Sequence, residues 1–136
     1  MSQENVEIVR RIYEAFLRGD QDQPVQLFDP EVELHGTVGG LSEGSVARGL
    51  QQIRRAFEEW DTEAWDESRL EAEKFIDAGD RVVMLQHEFR RGKGSGVEVE
   101  IDTAVVFELR DGRVTRMQGY MDRASALEAA GCHSQD

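Results

Sequence analysis

The chain has 136 residues, 39% of them hydrophobic and 32% charged, enough for one domain that buries roughly two-thirds of the surface its unfolded chain exposes. With 28 acidic residues against 16 basic ones, its formal charge of −12 disfavours nucleic acid and anionic membrane as partners, since both repel an acidic surface. No apolar run approaches the roughly 18 residues of a membrane span, Met1-Ser2-Gln3-Glu4 does not read as a signal peptide, and the single cysteine, Cys132, allows no intrachain disulfide and points to a reducing cytoplasm.

Val6, Val9, Tyr13 and Phe16 fall at helical spacing with Ile12 widening the stripe, which predicts a first helix capped by Ser2 and ended by Gly19. Asp20 and Gln23 look like a cap and its third residue, opening a short helix through Leu27-Phe28 that Asp29-Pro30 stops. Glu31 to His35 reads as a short strand, and Gly36 to Gly44, with four glycines in nine residues, as a loop. Leu50, Ile53, Phe57 and Trp60 share one face of the next helix. From Ser68 the period changes to two, with strands predicted near 68–77, 81–91, 97–110 and 113–122. Asp111-Gly112 is a hairpin turn, Gly79-Asp80 another, and Gly92-Lys93-Gly94-Ser95-Gly96 a longer one. A small helix from Ala124 to Ala130 ends at Gly131, and 131–136 read as a tail. Helices followed by hairpin-linked strands make an α+β domain spanning 1–136: a curved antiparallel sheet wrapped around its N-terminal helices, with a pocket where sheet and helices splay apart.

Four stretches in order, "IVRRIYEAFLRGDQD", "LFDPEVELHG", "GLQQIRRAFEEW" and "DGRVTRMQGYMDR", resemble the SnoaL-like branch of the nuclear transport factor 2-like superfamily, which also holds the ketosteroid isomerases. The resemblance covers nearly the whole chain. It implies a cone-shaped barrel with a deep apolar pocket, usually in a homodimer formed through the outer sheet face. Its members range from isomerases, cyclases, epoxide hydrolases and dehydratases to binding modules without chemistry, so the fold constrains function little. Carried over residue by residue, the isomerase pattern puts its oxyanion-donating tyrosine at Ile12, its general base at Gly36 and its protonated aspartate at Val105. None of these can move a proton or hold an enolate oxygen, so the steroid-isomerase mechanism does not carry over. His35, beside Gly36, faces outward if Val32, Leu34 and Gly36 face in.

Strand parity is the basis for the expected pocket lining. Val83, Leu85, His87 and Phe89 form the more apolar side of their strand, and Ile101, Thr103, Val105 and Phe107 are expected to face the same way. Met117, Gly119 and Met121 match lining positions of the family, with Tyr13 and Trp60 closing the pocket from the helices. His87 is then the one ionisable candidate inside, suited to proton transfer with Tyr13 or Thr103 assisting. Otherwise it is a core histidine satisfied by a neighbour. Gly119 would leave room for an occupant. Gly40-Leu41-Ser42-Glu43-Gly44 matches the nucleophile-elbow pattern but lacks the strand-to-helix setting, and Gly92–Gly96 lacks a phosphate loop's lysine and helix. Three histidines and one cysteine show no metal-ligand spacing. Asp102 and Asp122, which could echo an epoxide-hydrolase cluster, fall on the outer face with Arg116, Gln118 and Tyr120. The expected function is binding of a small hydrophobic molecule without cofactor or metal, in a cytoplasmic homodimer. The alternative is an isomerase, cyclase or dehydratase using His87 as acid or base.

Overall fold

The computed structural model of the chain describes residues 2–19, 23–40, 42–63 and 65–132, with no account of the side chains of 2, 23, 24 and 57–63. Helix α1 (Ser2–Arg18) leads through a 3-10 turn (Gln23–Leu27) to β1 (Phe28–Val38) and the short β2 (Val46–Arg48). Helix α2 (Leu50–Glu63) follows, then β3 (Trp65–Ala78), β4 (Arg81–Gly92), β5 (Glu98–Arg110), β6 (Arg113–Tyr120) and α3 (Arg123–Ala129). The strands form one sheet in the order β2-β1-β6-β5-β4-β3. Consecutive hairpins make most of its junctions antiparallel, but β1 joins β6 in parallel, with Leu34 opposite Met117. The architecture is the expected α+β one: a curved open sheet with two helices in its concave side.

Several element ends differ from expectation for identifiable reasons. β1 begins at Phe28 and runs through Pro30, because the pairing of β1 with β6 is interrupted between Phe28 and Glu33 and no ladder bond is asked of the proline there. Asp29 Oδ1 accepts from the Glu31 N–H at 2.8 Å and bridges the interruption. The Asp111-Gly112 hairpin is as predicted, with both residues at positive φ, 54° and 79°. Asp122 caps α3, accepting from Ala124 N and Ser125 Oγ.

Two apolar cores lie on opposite faces of the sheet. The larger one packs Val6 and Val9 of α1 and Ile53 of α2 against Val32, Val82, Met84, Phe107, Leu109 and Met117 on the concave face. The smaller packs Ala126 and Ala130 against Val83, Ala104 and Val106 on the convex face, with Leu85 and Tyr120 at its edge. Strands β4 and β5 are therefore buried on both sides over part of their length, which removes the polar-out alternation of a half-exposed sheet. Tyr13 locks α1 to β3: the Ala72 N–H donates to its hydroxyl at 2.8 Å and the hydroxyl donates to Leu70 O at 3.3 Å. Those bonds sit at the bulge where the β3–β4 register shifts between Ala72 and Lys74.

Candidate functional site

Which β4 side chains face the helices is decided by the β4–β5 hairpin. Gly92 N donates to Val97 O at 2.8 Å, so four residues, Lys93 to Gly96, form the loop rather than five. Residues then pair as Val82↔Phe107, Met84↔Val105, Gln86↔Thr103 and Glu88↔Ile101. A change of one residue in loop length reverses every side chain of the partner strand. The concave face of β4 is accordingly Val82, Met84, Gln86, Glu88 and Arg90, and Val83, Leu85, His87 and Phe89 face the other way. This overturns the expectation that His87 and Leu85 line the interior.

Toward the hairpin end, the concave face is polar. Glu88 accepts from Arg90 Nη2 at 2.5 Å and from Gln86 Nε2 at 3.2 Å, and also from the Thr103 hydroxyl. Gln86 Nε2 donates to Thr103 Oγ1 at 3.0 Å. Arg90 reaches the Ser68 hydroxyl on β3 and stands 5.8 Å from the centre of the Trp65 ring. Thr103 is 2% exposed and Gln86 6%, and the Glu88 and Arg90 side chains are 12% and 13% exposed. A carboxylate is tolerated at this depth because a guanidinium, an amide and a hydroxyl supply the bonds water would have given. Among the described residues, the concave face of β4 thus carries the Glu88 carboxylate and the Arg90 guanidinium instead of the lone imidazole expected there.

The expected lining divides. Tyr13, Thr103, Val105, Phe107 and Met117 do face the concave side, all but Thr103 packing in or against its core. Gly119 lies opposite Val105, but its space is taken: a Cβ there would come 2.7 Å from Thr37 Oγ1. Met121 lies beyond β6, 38% exposed, against Gly39 at the rim. The Trp60 side chain is outside the described residues. Ile12 and Val105, two of the vacated isomerase positions, pack against the core. At Gly36, the third, still within β1, an added Cβ would fall 1.7 Å from Ser42 O; the backbone at Ser42 fills the place of a base.

His87 instead belongs to an exposed network on the convex face. Its Nδ1 is 2.7 Å from Asp102 Oδ1 and its Nε2 2.9 Å from Glu100 Oε1. Hydrogen bonds to Asp102 and then Glu100 raise its pKa to about 9, and the bond to His87 holds the Asp102 carboxyl below the usual range. A protonated imidazole tied at both nitrogens is an ion-pair partner, with no lone pair for a general base. Beside it, Arg123 of α3 donates to Glu73 at 2.5 Å, to Gln86 O at 2.8 Å and to Thr103 O at 3.2 Å. His35 also faces outward, 2.8 Å from Glu33, whose carboxyl it and Arg48 hold low. Among the described residues no group of His, Cys, Asp and Glu is placed to hold a metal ion. A broad open recess of about 920 Å³ lies at the Asp111-Gly112 hairpin, lined by Glu4, Asp80 and Glu108 among others, away from both networks.

Residues 9–117 match the family model of the SnoaL-like domain. The chain belongs to the SnoaL-like family. No curated protein sequence matches it. Among solved structures, this SnoaL-like chain is similar to an NTF2-like protein of unknown function from Burkholderia pseudomallei, at 25% identity over 94% of this chain and 97% of the other, with a TM-score of 0.74. It is similar to TerC co-crystallised with polyporic acid, at 26% identity over 94% and 98% of the two chains and a TM-score of 0.73. A SnoaL-like polyketide cyclase, so described provisionally, from Jannaschia sp. shares the fold at 22% identity over 95% and 92%, with a TM-score of 0.69.

The residues missed by sequence reasoning are Gln86, Glu88, Arg90 and Ser68. The signal for the first three was the β4–β5 loop length, since the apolar content of "RVVMLQHEFR" is too even between parities to choose a face.

Proposed function

We propose that this SnoaL-like chain holds a small, mostly apolar organic molecule within its cone, polar end against Gln86, Glu88, Arg90 and Thr103. The observation that carries this is the position of the cluster. Four mutually bonded polar side chains stand on the concave face, continuous with the apolar surface of Val105, Leu70 and Met84, where a purely structural interior would be apolar throughout. Buried ion pairs add little net stability over apolar side chains of similar volume, so stability alone is a weak reason for Glu88 and Arg90 to be there. The co-crystallisation of TerC, a relative in fold, with polyporic acid is consistent with an organic occupant in this architecture. Binding without chemistry is favoured over an acid–base enzyme because Glu88 is committed to three donors and Ile12, Gly36 and Val105 supply none of the isomerase roles.

The test is mass spectrometry of the small molecules released when freshly purified protein is denatured. A stoichiometric organic compound is expected, absent from the Glu88→Leu/Arg90→Met double variant. Release of nothing from the wild type, with no thermal shift from a library of small aromatic and alicyclic compounds, would overturn the proposal.

A further inference from the structure

Strand β3 ends the sheet, with β4 on its one paired side. It has 14 residues, whereas β2 at the opposite edge has three. A long open edge presents backbone N–H and C=O groups that a strand of another molecule can take. At the middle of β3 those groups are already occupied. The Tyr13 hydroxyl accepts from the Ala72 N–H at 2.8 Å and donates to Leu70 O at 3.3 Å. These two groups flank Glu71 on one side of the strand. An antiparallel neighbour would bind them in the same way, with one C=O and one N–H of its own. A single phenol from α1 thus stands where the next strand would begin.

A second copy of β3 can satisfy both groups in one symmetric register. Each Ala72 N–H then meets Leu70 O of the other copy, and Glu71 faces Glu71 directly. Glu71 is exposed, and like charges placed opposite each other across a strand pair repel. We propose that the open edge of β3 is a latent self-pairing surface, its partner a second copy of this chain running antiparallel about Glu71, and that Tyr13 and Glu71 hold it shut. Tyr13 does so by occupying the hydrogen-bonding groups, Glu71 by meeting its own charge. Because Tyr13 belongs to α1, self-association through β3 is tied to the seating of that helix. The bulge between Ala72 and Lys74 keeps the regular pairing short, so a cross-link is the suitable probe.

In an antiparallel pair of this kind the facing Cα atoms are about 4.5 Å apart, within the span of a disulfide. In a Cys132→Ser background, Glu71→Cys and Tyr13→Leu/Glu71→Cys are oxidised with diamide and the linked dimer is followed on non-reducing gels. Leucine keeps an apolar side chain near Phe75, which the Tyr13 ring meets edge-on, but falls short of the strand edge. Withdrawal of Tyr13 should speed linkage at position 71 roughly tenfold or more, the worth of two backbone hydrogen bonds. Linkage at an exposed control on α3, Glu128→Cys, should not change. Equal rates at 71 with and without Tyr13, or the same acceleration at 128, would overturn the proposal. In sedimentation, Tyr13→Leu/Glu71→Thr should run as a heavier species than Tyr13→Leu at the same concentration; equal behaviour would overturn the part given to Glu71. Should Tyr13→Leu not fold, Tyr13→Phe, which deletes only the hydroxyl, carries the same comparisons.

Discussion

Strands β4 and β5 carry two polar networks back to back, and the contrast between them is instructive. On the concave face Gln86, Glu88, Arg90 and Thr103 are nearly sealed from water. On the convex face His87, Glu100, Asp102 and Arg123 make contacts just as short, but the His87 side chain is 34% exposed and its two carboxylate partners more so. Short distances therefore say little about worth. Inside, each partner replaces lost hydration and its removal strands a charge; outside, water and salt stand ready to substitute. The shifted pKa values belong to His87, Asp102 and Glu33, on ion pairs outside the concave cluster, so a shift here marks salt bridging rather than the candidate site.

Arg90→Met should sharpen the contrast most. It leaves the Glu88 carboxylate buried without its guanidinium and should cost about 3–5 kcal/mol in urea unfolding, much of it regained in Glu88→Leu/Arg90→Met. If the single variant lost no more than an exposed-pair variant such as Glu100→Gln, the two faces would be energetically alike. Gly36→Asp comes next. It does not restore a base, because the new side chain must displace the backbone at Ser42, and the expected result is a loss of about 1–3 kcal/mol in thermal melts with no acid–base activity gained. Arg123→Ala tests a side chain that links the faces, since it bonds the carbonyls of Gln86 and Thr103 from behind. It should cost about 1 kcal/mol and move the Gln86 side-chain amide resonances, which Arg116→Ala should leave in place. The smallest effect is the pH dependence of His87. Its folded pKa is raised from 6.5 to about 9, so its contribution is fully present below about pH 6.5 and is lost as pH rises through 9. The melting temperature of the wild type should fall slightly more over that window than that of His87→Gln.

Much of the fold is legible in the chain. The apolar stripes of α1 and α2, the Asp111-Gly112 turn and the two-residue period after Ser68 place the elements in order, because each is a local signal. The parallel seating of β1 on β6 and the short β2 are not local and left no such trace. The site was legible only in part. Tyr13, Thr103, Val105, Phe107 and Met117 came out on the concave face, while His87 and Leu85 did not. The reason is that α3 covers the convex side of β4, making both of its parities apolar near Val82 and Val83. With the hydrophobic signal cancelled, the face rests on whether the hairpin loop has four residues or five. Gly119 misled for a related reason: the room it leaves belongs to Thr37, which arrives from another strand.

The assignment of faces on β4 is the claim on which the rest depends, and thiol accessibility measures it directly. In a Cys132→Ser background, Gln86→Cys and His87→Cys are each exposed to a water-soluble disulfide reagent in folded protein. The structure predicts prompt reaction at position 87 and protection at position 86 until the chain is unfolded. Prompt reaction at 86 with protection at 87 would put the imidazole inside and contradict the account.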